Sequence, residues 1–107
     1  MKNAAGKFVG PTAAAASAFV SGASIDSVGF VTFDYKQATN TAAYPVVAVT
    51  YGLGKTAKSA KNAVVADFFT WILTTYSPAN SEALGYAPLT GALKTAAEAQ
   101  AKKVNSK

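Results

Sequence analysis

Tyr44-Pro45-Val46-Val47-Ala48-Val49-Thr50-Tyr51, broken by Gly52-Leu53-Gly54, is the stretch that decides the fold. Its β-branched and aromatic residues suit a strand, and Pro45 stands at the start, where a missing amide is tolerated. From Ser59 the hydrophobic period changes. Val64, Val65, Phe68, Phe69, Trp71, Ile72, Leu73 and Tyr76 cover a broad helical face, with Asp67 the only acid among them, and the helix is expected to run to Thr75. A strand followed by an apolar helix predicts an α/β unit: a small sheet around Tyr44–Leu53 and about four helices. The expected core joins Val47 and Val49 to Phe68, Trp71 and Ile72, with Tyr86 and Leu89 closing one end.

Upstream, Asn3 to Val9 reads as a turn and a short extended piece punctuated by Gly6 and Gly10. Thr12 is placed to cap an alanine-rich helix ending near Val20, with Gly22 just past its end. With only Phe19 and Val20 large, that helix is expected at the periphery. Val28 to Tyr35 is a second strand, with Val31, Phe33 and Tyr35 on one face and Phe30 and Thr32 on the other. Lys36 to Ala43, rich in Thr, Asn and Ala, is a loop.

Downstream, Ser77-Pro78 starts a short helix that Gly85 can end. Pro88 holds Ala87 out of the helical region, fixing the Leu84-Gly85-Tyr86-Ala87-Pro88-Leu89 turn. Thr90 caps a last helix whose apolar stripe, Leu93, Ala97 and Val104, is thin. No repeat or linker interrupts the chain, so residues 1–107 form one unit.

Composition narrows the function. Half of the 107 residues are hydrophobic and 14% are charged, which argues against a disordered chain. The net charge of +5 comes from lysine alone; there is no arginine to read phosphate bidentately, and the lysines are dispersed except at the tail. That pattern argues against nucleic-acid binding. With no cysteine and no histidine, disulfides, thiolate chemistry and the usual zinc sites are ruled out. No apolar run reaches the roughly 20 residues of a membrane span. Met1-Lys2 and Lys7 ahead of Ala16-Ser17-Ala18 imitate a signal peptide, but Gly10-Pro11-Thr12 interrupts the apolar segment.

No catalytic constellation emerges. Gly52-Leu53-Gly54-Lys55-Thr56 follows a strand and precedes a helix, as a phosphate-cradling loop does. Counting back from Gly54, however, the position of the opening glycine is Val49, inside the strand. Asp26, Asp34, Asp67, Glu82 and Glu98 are scattered over separate elements, so no carboxylate pair is expected. Without histidine there is no Ser–His triad. The expectation is a non-enzymatic protein with no catalytic residue, metal or cofactor.

Three ordered segments together resemble one family. Asn3-Ala4-Ala5-Gly6-Lys7-Phe8-Val9-Gly10-Pro11-Thr12 resembles the Asn-x-x-Gly-x-Phe-Val-x-Pro-Thr segment of phosphate-binding proteins, the substrate-binding receptors of the high-affinity phosphate ABC transporter. Ala43-Tyr44-Pro45-Val46-Val47 with Thr50-Tyr51 resembles that family's strand near the return crossing between lobes. Asp67-Phe68-Phe69-Thr70-Trp71, followed by Leu84 to Leu89, resembles its C-terminal Phe-x-x-Trp and Leu-Gly-Tyr-x-Pro-Leu signature.

The match covers the last third of such a receptor, a two-lobed periplasmic-binding-protein fold that closes on phosphate in the periplasm or outside the cell. The family's ligating groups lie upstream, among them a Ser-Gly-x-Gly-Thr loop with an arginine partner. None occurs here, so the resemblance transfers no phosphate-ligating residue and implies weak phosphate binding at best. It implies a receptor piece that either belongs to a longer chain or stands alone. The alternative is a self-assembling structural protein that reuses this fragment without binding phosphate. Either way, strand edges and an apolar helix face cut off from their sheet predict self-association, with the Lys36–Ala43 loop as the hinge for any exchanged element.

Overall fold

A computed structural model describes residues 1–107, and its best-buried side chain lies in the alanine-rich segment. Thr12 opens α1 (Ala13–Val20): its hydroxyl accepts a hydrogen bond from the Ala15 amide at 3.1 Å. Phe19, 2% exposed, packs its ring against Phe33 at 5.6 Å and Tyr35 at 5.3 Å between centroids. The expectation of a peripheral α1 is therefore overturned. Alanines let neighbouring backbone come close, and the Tyr44 amide donates to the Ala15 carbonyl at 3.0 Å.

The loop after Tyr35 closes on the same helix. Gln37 Nε2 donates to the Phe19 carbonyl and Asn40 Nδ2 to the Ala18 carbonyl, both at 2.8 Å. They add to the local caps, Ser21 Oγ on the Ala18 carbonyl at 2.8 Å and the Gly22 amide on the Phe19 carbonyl at 3.2 Å, at the end of α1. Lys36–Ala43 is a loop as expected, but a tied one and not a free hinge.

The sheet is a two-stranded antiparallel hairpin, β1 (Ser24–Ile25) with β2 (Val31–Thr32), pairing Ser24 with Thr32 and Ile25 with Val31. Its turn is held by Asp26 Oδ1, which accepts from the amides of Val28 at 2.9 Å and Phe30 at 2.8 Å. Gly29, at φ +93°, supplies the left-handed residue. Val31 is buried and Phe33 half-buried while Phe30 and Thr32 are exposed, as the alternation predicts, but Tyr35 is 60% exposed and the paired strand is Val31–Thr32, far shorter than the expected Val28–Tyr35.

The central strand is the main correction. Tyr44–Leu53 joins no sheet. Exposure alternates as in a strand, with Val47 and Val49 half-buried and Val46, Ala48 and Thr50 exposed. From Pro45 to Gly54, however, no backbone amide or carbonyl makes a hydrogen bond within the chain. The link to β2 runs through a side chain: Tyr51 Oη accepts from the Val31 amide at 2.9 Å, and its ring stacks on Phe30. A tyrosine thus stands where a backbone ladder was expected.

Ser59 caps α2 (Ala60–Trp71), its hydroxyl accepting from the Asn62 amide at 3.0 Å. The helix then widens into a π-helical turn over Ile72–Tyr76 and continues as α3 (Ser77–Asn80). Ser77 is not a cap; its amide donates to the Ile72 carbonyl inside one continuous path. Gly85, at φ +81°, ends the stretch as expected. The last helix, α4 (Gly91–Ala101), buries Leu93 and Ala101. Thr90 occupies its cap position without a side-chain bond.

The architecture is a small α/β unit with three helices of eight residues or more. Only six residues are buried: Asn3, Phe19, Val31, Ala43, Leu93 and Ala101. The expected aromatic core is not formed. Phe68 is 51%, Trp71 47% and Tyr86 66% exposed, because no element covers that side of α2. The molecule is long, 50 × 29 × 17 Å, with a radius of gyration of 15.4 Å against about 13 Å for a compact chain of this length.

Stability should follow burial and not hydrophobicity. Phe19→Ala should destabilise by roughly 3–5 kcal/mol, and Trp71→Ala by about 1 kcal/mol. Urea titrations of the two variants check this; equal losses would place Trp71 in the core.

Candidate functional site

The polar side chains are spent on structure. Asp26 and Asp34 hold turns, the latter by accepting from the Lys36 amide at 2.8 Å. Glu98 meets Lys94 one helical turn away at 3.9 Å, an exposed pair that contributes little. No cluster of acids could hold a metal ion. Two open depressions mark the surface, one lined by Thr70, Leu73, Thr74, Glu98, Ala101 and Lys102, the other by Leu53, Gly54, Lys55, Lys61, Asn62 and Val65. In the first, the threonine hydroxyls donate to backbone carbonyls of their own helix, Thr70 to Ala66 at 2.9 Å and Thr74 to Thr70 at 2.8 Å, and not to Glu98.

The Gly52–Thr56 loop has a packing role. A Cβ on Gly52 would sit 2.9 Å from the Phe69 ring, and one on Gly54 only 2.7 Å from Val104 Cγ2. The glycines let the backbone run close to α2 and to the C-terminal tail. That tail returns across the loop: Asn105 and Lys107 amides donate to the Lys55 and Thr56 carbonyls at 3.0 and 2.9 Å. Gly-x-Gly before a helix is here a close-approach device. Its spacing by two, facing an aromatic helix, was the signal in the sequence.

Asn3 was read only as a turn residue, and it does more. It is 8% exposed and shares its two amide hydrogens among the carbonyls of Asn40, Thr41 and Ala43, at 3.3, 3.1 and 3.0 Å. Its Oδ1 accepts from the Lys7 amide at 3.0 Å, while Gly6, at φ +76°, turns the chain. One side chain thus fastens the N-terminal segment to the entrance of the Tyr44–Tyr51 stretch. Asn-x-x-Gly was the visible cue, a tight turn whose first side chain is free to reach elsewhere.

What remains unassigned is apolar surface. Val64, Phe68 and Trp71, spaced four and three apart, form an exposed stripe along α2. Phe68 and Trp71 stack at 6.2 Å, and the π-helical turn brings Tyr76 within 5.0 Å of Trp71. The second feature is the unpaired Pro45–Gly54 segment, whose backbone groups must find water or a partner. Comparison with family models, with characterised proteins and with solved structures returned no match.

The loop reading has a direct test. Gly54→Ala should destabilise the fold by about 1–3 kcal/mol through the clash with Val104 and Phe69, whereas Gly10→Ala, with open space around it, should be near neutral. Thermal melts of both variants suffice, and a neutral Gly54→Ala would contradict the packing role.

Proposed function

We propose that the chain is the C-terminal part of a phosphate-transport receptor, a non-enzymatic solute-binding protein working in the periplasm or outside the cell. The observation that supports this reading is that the first family-like segment is bonded to the second, and the second leads directly into a glycine packed on the third. Asn3 of the first donates to Ala43 of the second at 3.0 Å, and the second runs on into Gly52, whose backbone lies against Phe69 of the third. Residues that carry the resemblance are thus the ones that frame the extended segment. A unit whose strand belongs to a larger two-lobed sheet accounts for Pro45–Gly54 lacking a neighbour. It also accounts for the uncovered aromatic side of α2.

The second reading, a self-assembling protein built on the same fragment without phosphate binding, is favoured by the extent of that open surface. Calorimetry with inorganic phosphate separates the two once the DNA upstream of the Met1 codon is read. The receptor reading expects an upstream Ser-Gly-x-Gly-Thr segment in frame. The isolated chain should bind phosphate no tighter than about 1 mM, while the joined polypeptide should reach about 1 μM or better. A stop codon directly before Met1 would contradict it, and so would absence of binding by the joined polypeptide. Micromolar binding by the isolated chain would reveal a site within these 107 residues.

A further inference from the structure

We propose that residues Pro45–Gly54 form an interaction edge for a second copy of this chain, paired antiparallel about a two-fold axis at Ala48. This deepens the second reading, self-assembly, and rests on it; under the receptor reading the same edge pairs with upstream sequence. The first ground is the backbone. Ten consecutive residues have no hydrogen-bonded backbone neighbour, exposure alternates as in a strand from Pro45 to Thr50, and such an edge is a template for another chain. An isolated strand gains nothing from its β-branched residues until a ladder forms.

The second ground is area. The chain exposes 7059 Å², while a folded monomer of 10.9 kDa exposes about 5,600 Å². The difference, about 1,500 Å², exceeds the roughly 800 Å² that each partner gives up in a stable interface. The excess belongs to the elongated chain as a whole, exposed α2 side chains included, and leaves room for an interface of that size without placing it.

The third ground is charge, which leaves a second copy admissible and selects the direction. With a net charge of +5, two copies repel unless they meet through an uncharged surface. No charged residue lies between Lys36 and Lys55. A parallel pair would set Lys55 beside Lys55; an antiparallel pair puts the two lysines at opposite ends. It also sets Val46 of one copy opposite Thr50 of the other and Val47 opposite Val49, pairs that suit a cross-strand contact. The arrangement closes on itself, as a two-fold dimer must.

Because the chain has no cysteine, single-cysteine variants report the geometry cleanly. Wild-type protein should sediment as a dimer at high micromolar concentration. Under mild oxidation Ala48→Cys, at an exposed position, should give a disulfide-linked dimer as the main product. Lys55→Cys should not, since the two sites lie roughly 40 Å apart in an antiparallel ribbon. Ala48→Lys, which sets like charges across the axis, should weaken dimerisation at least about 10-fold. A wild-type monomer at high micromolar concentration overturns the proposal. So does a dimer in which Lys55→Cys cross-links as readily as Ala48→Cys, or one in which Ala48→Cys fails to cross-link. If Ala48→Lys disturbs folding, as circular dichroism would show, the two cysteine variants alone decide the outcome.

Discussion

Backbone amides and carbonyls must be paired or hydrated, and in this protein one stretch of strand-forming sequence has only hydration available. The rest of the molecule is arranged around Pro45–Gly54. Its entrance is fixed by Asn3 on the Ala43 carbonyl and by the Ala15 carbonyl on the Tyr44 amide. Midway along, Tyr51 reaches the Val31 amide with its hydroxyl. Its exit threads between Phe69 and Val104, where only glycine fits. Side chains and glycines hold the segment in place while leaving its hydrogen-bonding edges free.

That design explains why so little is buried. The core divides into a cluster around Phe19, Phe33 and Tyr35 at one end and a seam between α2 and α4 at the other. Neither is large enough to wrap the extended segment, and the molecule stays elongated. Docking to another polypeptide would add a ladder without asking these clusters to rearrange. The receptor reading and the dimer differ in which polypeptide that is.

Local structure was legible in the residues. Thr12 caps the helix it is expected to cap, and Gly85 ends the helical run in a left-handed conformation. These features depend on a few neighbouring residues. Misreadings came where burial depends on what lies across from an element. Phe68 and Trp71 have the spacing of core residues, yet half of each ring is open because no element packs on that side. Phe19 looked too isolated among alanines to matter, and the small neighbours are what let other chain segments close over it. Asn3 was missed for the same reason: its carbonyl partners lie about forty residues away in sequence.

Amide hydrogen exchange over Val46–Gly54 tests the central claim most directly. In dilute solution these amides should exchange nearly as fast as an unstructured peptide, while those of α1 and α2 are protected. Raising the protein concentration should bring protection to this segment before any other loop. Protection equal to that of α2 in the dilute monomer would contradict the account, because the strand would then have a partner within its own chain.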